Sequence, residues 1–122
     1  MKANLDDPLA LARTCARLLD EKKVVDLAIF DVADACSVAT HFVLGTGINA
    51  RHLQGVAEQL RRFLKENGRR PRIEGYREGK WILLDLGEVV LHLFQAESRR
   101  FYDLELLWGD SPRCDLLPAA SS

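Results

Sequence analysis

The run from Trp81 to Leu93, W-I-L-L-D-L-G-E-V-V-L-H-L, restricts the fold more than any other part of this chain. It is apolar almost throughout and broken once by Gly, which predicts two strands joined as a β-hairpin. With Leu86-Gly87 as a two-residue loop, Asp85 stands opposite Glu88, Leu83 opposite Val90 and Trp81 opposite His92. Side chains alternate along a strand, so those six share one face, while Ile82, Leu84, Val89, Leu91 and Leu93 share the other. The second face is purely aliphatic and is expected in the core. The first combines an indole, two aliphatic side chains, an imidazole and two facing carboxylates. Like charges directly opposite each other destabilise a sheet, so this pairing implies a relieving cation, in this chain or in a partner. The face is a candidate functional surface.

The rest of the chain reads as elements that enclose such a hairpin. Asp7-Pro8 is an N-cap followed by Pro at the first helical position, and Leu9, Ala12, Ala16 and Leu19 carry helical spacing to about Lys22. Val24 to Val32 is rich in β-branched and aliphatic residues and predicts a strand; Phe42 to Thr46 predicts a second. Leu53, Val56, Ala57, Leu60, Phe63 and Leu64 then mark an amphipathic helix, with Asn49 as N-cap and Gly68 as left-handed terminator. Arg72 to Tyr76 predicts a third strand ahead of the hairpin, and Glu97 to Leu106 a last helix. The order predicts an α/β fold with helices packed on a mixed five-stranded sheet. Residues 1–110 read as one domain and residues 111–122, Pro- and Ser-rich without periodicity, as a mobile tail.

Candidate chemistry is thin. Gly45-Thr46-Gly47 lies between a strand and a helix N-terminus, where backbone N–H groups and Arg51 could cradle a phosphate. No Lys-Ser/Thr follows, and Ala50 stands where a third Gly of G-x-G-x-x-G belongs, so a tight strand-to-helix turn is the favoured reading. Two-metal catalysis needs clustered carboxylates, yet neither Asp31 with Asp34 nor Asp85 with Glu88 has the D-x-D spacing. His41, His52 and His92 form no triad or H-E-x-x-H pattern. His52, near a helix start, suits a bond to a backbone carbonyl or an acidic neighbour, and His92 a packed, hydrogen-bonded role. No cofactor or metal is expected.

Cys15, Cys36 and Cys114 are odd in number and contain no C-x-x-C pair, which fits packed thiols in a reducing cytoplasm. No apolar run approaches the ~20 residues of a membrane span, and the N-terminus lacks the basic head and apolar stretch of a secretory signal. The net charge of −1 argues against wholesale nucleic-acid binding. That charge is unevenly placed: Arg51 to Arg72 holds seven basic residues against Glu58 and Glu66, a balance of +5. Glu74 to Asp110 holds eight acidic residues against Arg77, Lys80, Arg99 and Arg100, a balance of −4.

Taken in order, a Trp-opened strand, D-L-G-E-V-V, H-L-F, E-S-R-R-F-Y-D-L-E and a terminal L-W follow Cys36-Ser37, Phe42-Val43, Thr46-Gly47, Arg51-His52 and Glu74-Gly75. This ordered set, spanning Val24 to Gly109, resembles the ribosomal silencing factor family, also called Iojap-like. The resemblance implies a nucleotidyltransferase-like fold without a need for catalysis. It also implies binding to the large ribosomal subunit through the ribosomal protein numbered fourteen, which sterically blocks joining of the small subunit and represses translation when nutrients run short. Carried over, Trp81, Leu83, Asp85 and Glu88 are the expected ribosomal-protein contacts, with Glu74, Tyr102 and Trp108 as further candidates. Tyr102 and Trp108 suit equally a role in locking the last helix against the sheet. Gly45, Gly47, Arg51 and His52 are expected to shape the loop after Gly47, with Arg51-His52 pairing to Asp31 or Asp34. A homodimer when free is also implied.

Two features fit this pattern less directly. Thr40 and His41 replace an Asp and an aromatic that the family commonly carries there, which puts any contact of that Asp in doubt. The basic Arg61–Arg72 segment reads either as a solvated helix flank or as a minor contact to rRNA. The alternative function from a different class is a Mg²⁺-dependent nucleotide-binding enzyme of nucleotidyltransferase type.

Overall fold

The computed structural model describes residues 5–102 and 111–116. Helix α1 (Pro8–Glu21) starts where the Asp7 carboxylate accepts the Ala10 N–H at 2.9 Å. Its apolar stripe of Leu11, Cys15, Ala16 and Leu19 faces the sheet and is buried. Strands β1 (Val25–Asp31) and β2 (His41–Gly47) follow as an antiparallel pair. Helix α2 (Ala50–Glu66) is capped by Asn49, whose side chain accepts the His52 N–H at 2.8 Å, and is stopped at Gly68 with φ of +79°. Then come β3 (Arg72–Glu74), β4 (Trp81–Asp85), β5 (Val89–Gln95), α3 (Ala96–Tyr102) and β6 (Arg113–Cys114).

The sheet is ordered β3-β4-β5-β2-β1-β6. Only β2 and β5 run parallel; the other neighbours are antiparallel. A parallel pair cannot be closed by a tight turn, and here α2, β3 and β4 form the long connection between its members. Helices α1 and α2 cover one face, packing Leu53, Leu60, Leu64 and Leu11 onto Ile29, Val43, Ile82, Leu84, Leu91 and Leu93. The opposite face carries a second cluster built on Phe30, Phe42, Leu44, Val90 and Phe94, with Trp81 and Leu83 packed at its border. Among the described residues, no helix is long and apolar enough to cross a membrane.

Two expectations are corrected. Among the described residues the sheet has six strands rather than five. The sixth comes from the stretch read as an irregular tail, where Arg113 and Cys114 pair with Phe30 and Ile29. A two-residue strand has no periodicity of its own; it exists because β1 offers an open edge, where Asp31 N–H bonds Pro112 O at 2.8 Å. Arg13 holds the following turn, donating from Nε to Asp115 O at 2.9 Å.

The hairpin register also differs from the sequence reading. Its loop is Gly87-Glu88, closed by Leu86 N–H to Val89 O at 2.9 Å, and Asp85 pairs with Val90, Leu83 with His92 and Trp81 with Phe94. Gly87 takes φ of +91°, the left-handed backbone that type II′ hairpins assign to Gly at the first loop position. The Asp85 carboxylate steadies the turn by accepting the Gly87 N–H at 2.8 Å. This arrangement buries Leu86, which the alternative loop would have left in solvent. The slip is two residues, and side chains alternate with period two, so both faces keep the membership read from the sequence except for Glu88.

Candidate functional site

The sheet face turned away from α1 and α2 holds the candidate site. Trp81, Leu83 and Asp85 project from β4 onto it, each half-buried. Cross-strand pairing places Glu74 beside Leu83 and Arg72 beside Asp85 on the β3 side. On the other side stand Phe94, His92 and Val90, then Thr46, Leu44 and Phe42 of β2. The face therefore grades from a buried aromatic floor to a charged, exposed margin at β3.

Its floor is a set of rings. Trp81 stacks on Phe94 with centroids 5.1 Å apart at 25°, and Phe42 meets His92 edge-on at 4.8 Å. Trp81 Nε1–H donates to His92 Nδ1 at 3.2 Å. An indole can only donate, so Nδ1 must be unprotonated and the imidazole proton sits on Nε2. That Nε2 is buried and has no hydrogen-bond partner among the described residues. Burial pushes the His92 pKa down from the ordinary 6.5 to about 4, with Asp85 pulling weakly the other way. The imidazole is thus neutral at physiological pH and acts as a packed acceptor that fixes the indole plane. A single carboxylate, Asp85, supplies the charge of the row.

Glu88 does not face Asp85, so the expected like-charge pair is absent. Glu88 sits in the turn, where Arg69 Nη2 reaches its carboxylate at 2.6 Å. The same guanidinium donates to Leu5 O at 2.7 Å and to Leu86 O at 3.3 Å. The relieving cation that the sequence called for therefore exists within the chain, and it acts on Glu88 alone. Its hydrogen bond holds the Glu88 carboxyl below the usual carboxylate range. The Glu88 carbonyl accepts from Thr40 N–H at 2.7 Å, His41 N–H at 3.1 Å and the Thr40 hydroxyl at 3.1 Å. Thr40, one of the two departures from the family pattern, thus ties the hairpin turn to the start of β2.

At the opposite end, the loop from Gly75 to Lys80 leads into Trp81 and is anchored on both sides. Gln54 of α2 donates to Tyr76 O at 2.9 Å and Arg77 O at 3.2 Å, and Gln95 of β5 donates to Gly79 O at 2.8 Å. Glu74, just before this loop, is exposed. For Tyr102 the side chain, and for Trp108 the whole residue, lies outside the described residues.

Gly45 and Gly47 lie within β2, not in a turn, and both pair with β5. Each is buried. A Cβ on Gly45 would meet Val24 Cγ1 at 2.5 Å, and one on Gly47 would overlap the Leu53 side chain. The glycines therefore let α2 and the segment before β1 press onto the strand; they form no phosphate loop. His52 does structure the next turn: its Nδ1 accepts the Ile48 N–H at 3.0 Å and its Nε2 meets Lys22 O at 2.8 Å. Arg51 is exposed and, among the described residues, pairs with neither Asp31 nor Asp34. No three His, Cys, Asp or Glu side chains gather as a metal site among the described residues.

Sequence reasoning missed two contributors. Phe94 completes the Trp81 stack, and alternation from His92 would have placed it there had the strand been carried two residues further. Arg69 could not be singled out among seven neighbouring basic residues, because its partners are remote in the chain.

The pattern of the family described as "Ribosomal silencing factor during starvation" matches residues 5–122. A ribosomal silencing factor of Bacillus subtilis is 34% identical over 108 residues, covering 88% of this chain and 92% of the relative. A mouse protein named for mitochondrial assembly of the ribosomal large subunit is 32% identical over 95 residues, 75% of this chain and 42% of its own length. Among solved structures, a Chromobacterium violaceum protein superposes with a TM-score of 0.81 at 28% identity, covering 93% of this chain and 96% of the other.

Proposed function

The chain belongs to the ribosomal silencing factor family, and from that premise we propose that it represses translation by docking on the large ribosomal subunit and excluding the small one. Family membership supports a ribosome-associated role in regulating translation. The partner is proposed to be the ribosomal protein numbered fourteen, met by Trp81, Leu83 and Asp85, with Glu74 at the margin. Glu88, Tyr102 and Trp108 remain proposed contacts of the same kind; the Glu88–Arg69 pair gives Glu88 a second, internal role.

One observation carries this reading: an indole, a leucine and a carboxylate stand partly buried in one row, on the face that neither long helix covers. Aromatic anchors beside aliphatic side chains, with a charge selecting the partner, are the make-up of binding hot spots. Ribosomal proteins are basic, so Asp85 and Glu74 complement them. The indole is held by Phe94 and His92, so little side-chain freedom remains to be lost on docking. Blocking subunit joining by bulk requires no reacting group, and a homodimer of the free protein is proposed alongside.

Co-sedimentation with purified large subunits tests the reading. The Trp81→Ala/Asp85→Lys variant is expected to leave the pellet while the parent remains in it. Asp85→Asn alone, which spares the aromatic floor and keeps an acceptor oxygen for the Gly87 N–H, is expected to weaken binding with a melting temperature close to the parent's. Undiminished pelleting of both variants would refute the proposed face.

A further inference from the structure

On the far side of β3 from the Trp81 row lies an open groove of about 140 Å³ lined by Arg61, Lys65, Arg70 and Pro71. Arg61 and Lys65 are four residues apart on α2 and so project from one side of it. Gly68 then reverses the chain, and Arg69 is drawn inward by Leu5 O, Leu86 O and Glu88. That anchor fixes the backbone on which Arg70 and Pro71 close the groove. Arg61, Lys65 and Arg70 are all exposed, as is Arg62 beside them. Glu58 offsets part of this charge, bonding Arg61 at 3.0 Å. The groove itself keeps an excess of positive charge.

Resting on the ribosomal reading above, we propose that this groove grips a phosphate of the rRNA backbone beside the docked ribosomal protein. Three properties direct the choice of occupant. A cationic concavity repels basic ribosomal proteins and attracts the other component of the ribosome surface, its phosphodiester chain. Among the described residues no aromatic side chain lines the groove, which favours recognition of the backbone, independent of sequence, over base stacking. Third, the groove ends at the strand that borders the docking face. Pro71 leads directly into β3, where Arg72 stands opposite Asp85 and Glu74 opposite Leu83. The chain thus presents an aromatic face carrying Asp85, Glu74 and Arg72 on one side of β3 and a predominantly basic groove on the other, matching a place where a basic protein abuts RNA.

The triple variant Arg61→Gln/Lys65→Gln/Arg70→Gln tests this. Its affinity for purified large subunits is measured at several monovalent salt concentrations beside the parent. A control, Arg17→Gln/Lys22→Gln/Lys23→Gln, makes the same change in net charge on and after α1. One phosphate contact contributes about 0.7–0.9 to the slope of log affinity against log salt, so the groove variant is expected to be shallower by about that amount. The control is expected to keep the parent slope. Equal slopes for groove variant and parent would overturn the rRNA contact while leaving the protein-docking reading intact. A parent that fails to bind large subunits at all would instead overturn that reading. As a second measurement, a photocrosslinking residue at position 65 is expected to label rRNA; adducts to protein alone would also overturn the inference.

Discussion

The buried imidazole under Trp81 makes the stability of this fold depend on pH in a way that can be calculated. His92 has an ordinary pKa of 6.5 when unfolded and about 4 in the native chain. Between those values the unfolded chain binds a proton that the native chain refuses. Stability is therefore fully present above pH 6.5 and is lost as pH falls toward 4, below which the native imidazole also titrates. The gap of about 2.5 corresponds to a total loss of about 3 kcal/mol. At pH 5 about 2 kcal/mol is already gone relative to pH 7.5, by the same linkage. The perturbation is His92→Phe, which keeps a ring against Phe42 and Phe94 but cannot titrate. Urea unfolding of both chains from pH 7.5 to 4.5 measures the effect, and subtracting the curves removes contributions from carboxylates common to both. The stability of His92→Phe relative to the parent is expected to rise by about 2 kcal/mol between pH 7.5 and 5. Parallel curves over that interval would show that the imidazole is not excluded from water and would refute the argument.

Three further substitutions probe the packing of the fold. Gly47→Ala puts a methyl group into the Leu53 side chain and is expected to cost about 1–3 kcal/mol. Gly55→Ala, on the exposed side of α2 where nothing lies within 4 Å, is expected to add about 0.5–1 kcal/mol; thermal melts of both check the contrast. Arg69→Met removes the bonds to Leu5 O, Leu86 O and Glu88. A loss of about 1–3 kcal/mol is expected by denaturant titration, mostly from the carbonyl bonds, since the ion pair is partly screened. Because Arg69 holds the Glu88 pKa down, that residue contributes stability above pH 4.5 that disappears as pH falls. The variant should lose this part of the acid dependence, and an unchanged acid limb would contradict the assignment.

Local signals in the sequence were reliable where the physics is local. Asp7-Pro8, Asn49 and Gly68 bound their helices because caps and left-handed terminators act on backbone groups within one turn. The two faces of the hairpin were legible although the register was not. Alternation decides the face, whereas the loop depends on burying Leu86 and capping Gly87. Arg69 was illegible because three partners from Leu5 to Glu88 define it. The Arg113–Cys114 strand was illegible because it answers to the edge of β1. The Trp81, Leu83, Asp85 row could be read as a surface from its mixed chemistry, while its ring-stacked floor required knowing that Phe94 continues β5.

The parallel pairing of β2 with β5 joins His41 to Val89, 48 positions apart in the chain. During synthesis the N-terminal half, with α1, β1, β2 and α2, must wait with one edge of β2 unfilled until the hairpin has left the exit tunnel. Contacts of such long separation slow folding and leave strand edges open to other chains. Newborn copies would therefore persist as incomplete sheets until the hairpin emerges, and closely spaced nascent chains would be the setting in which wrong strand partners compete most strongly.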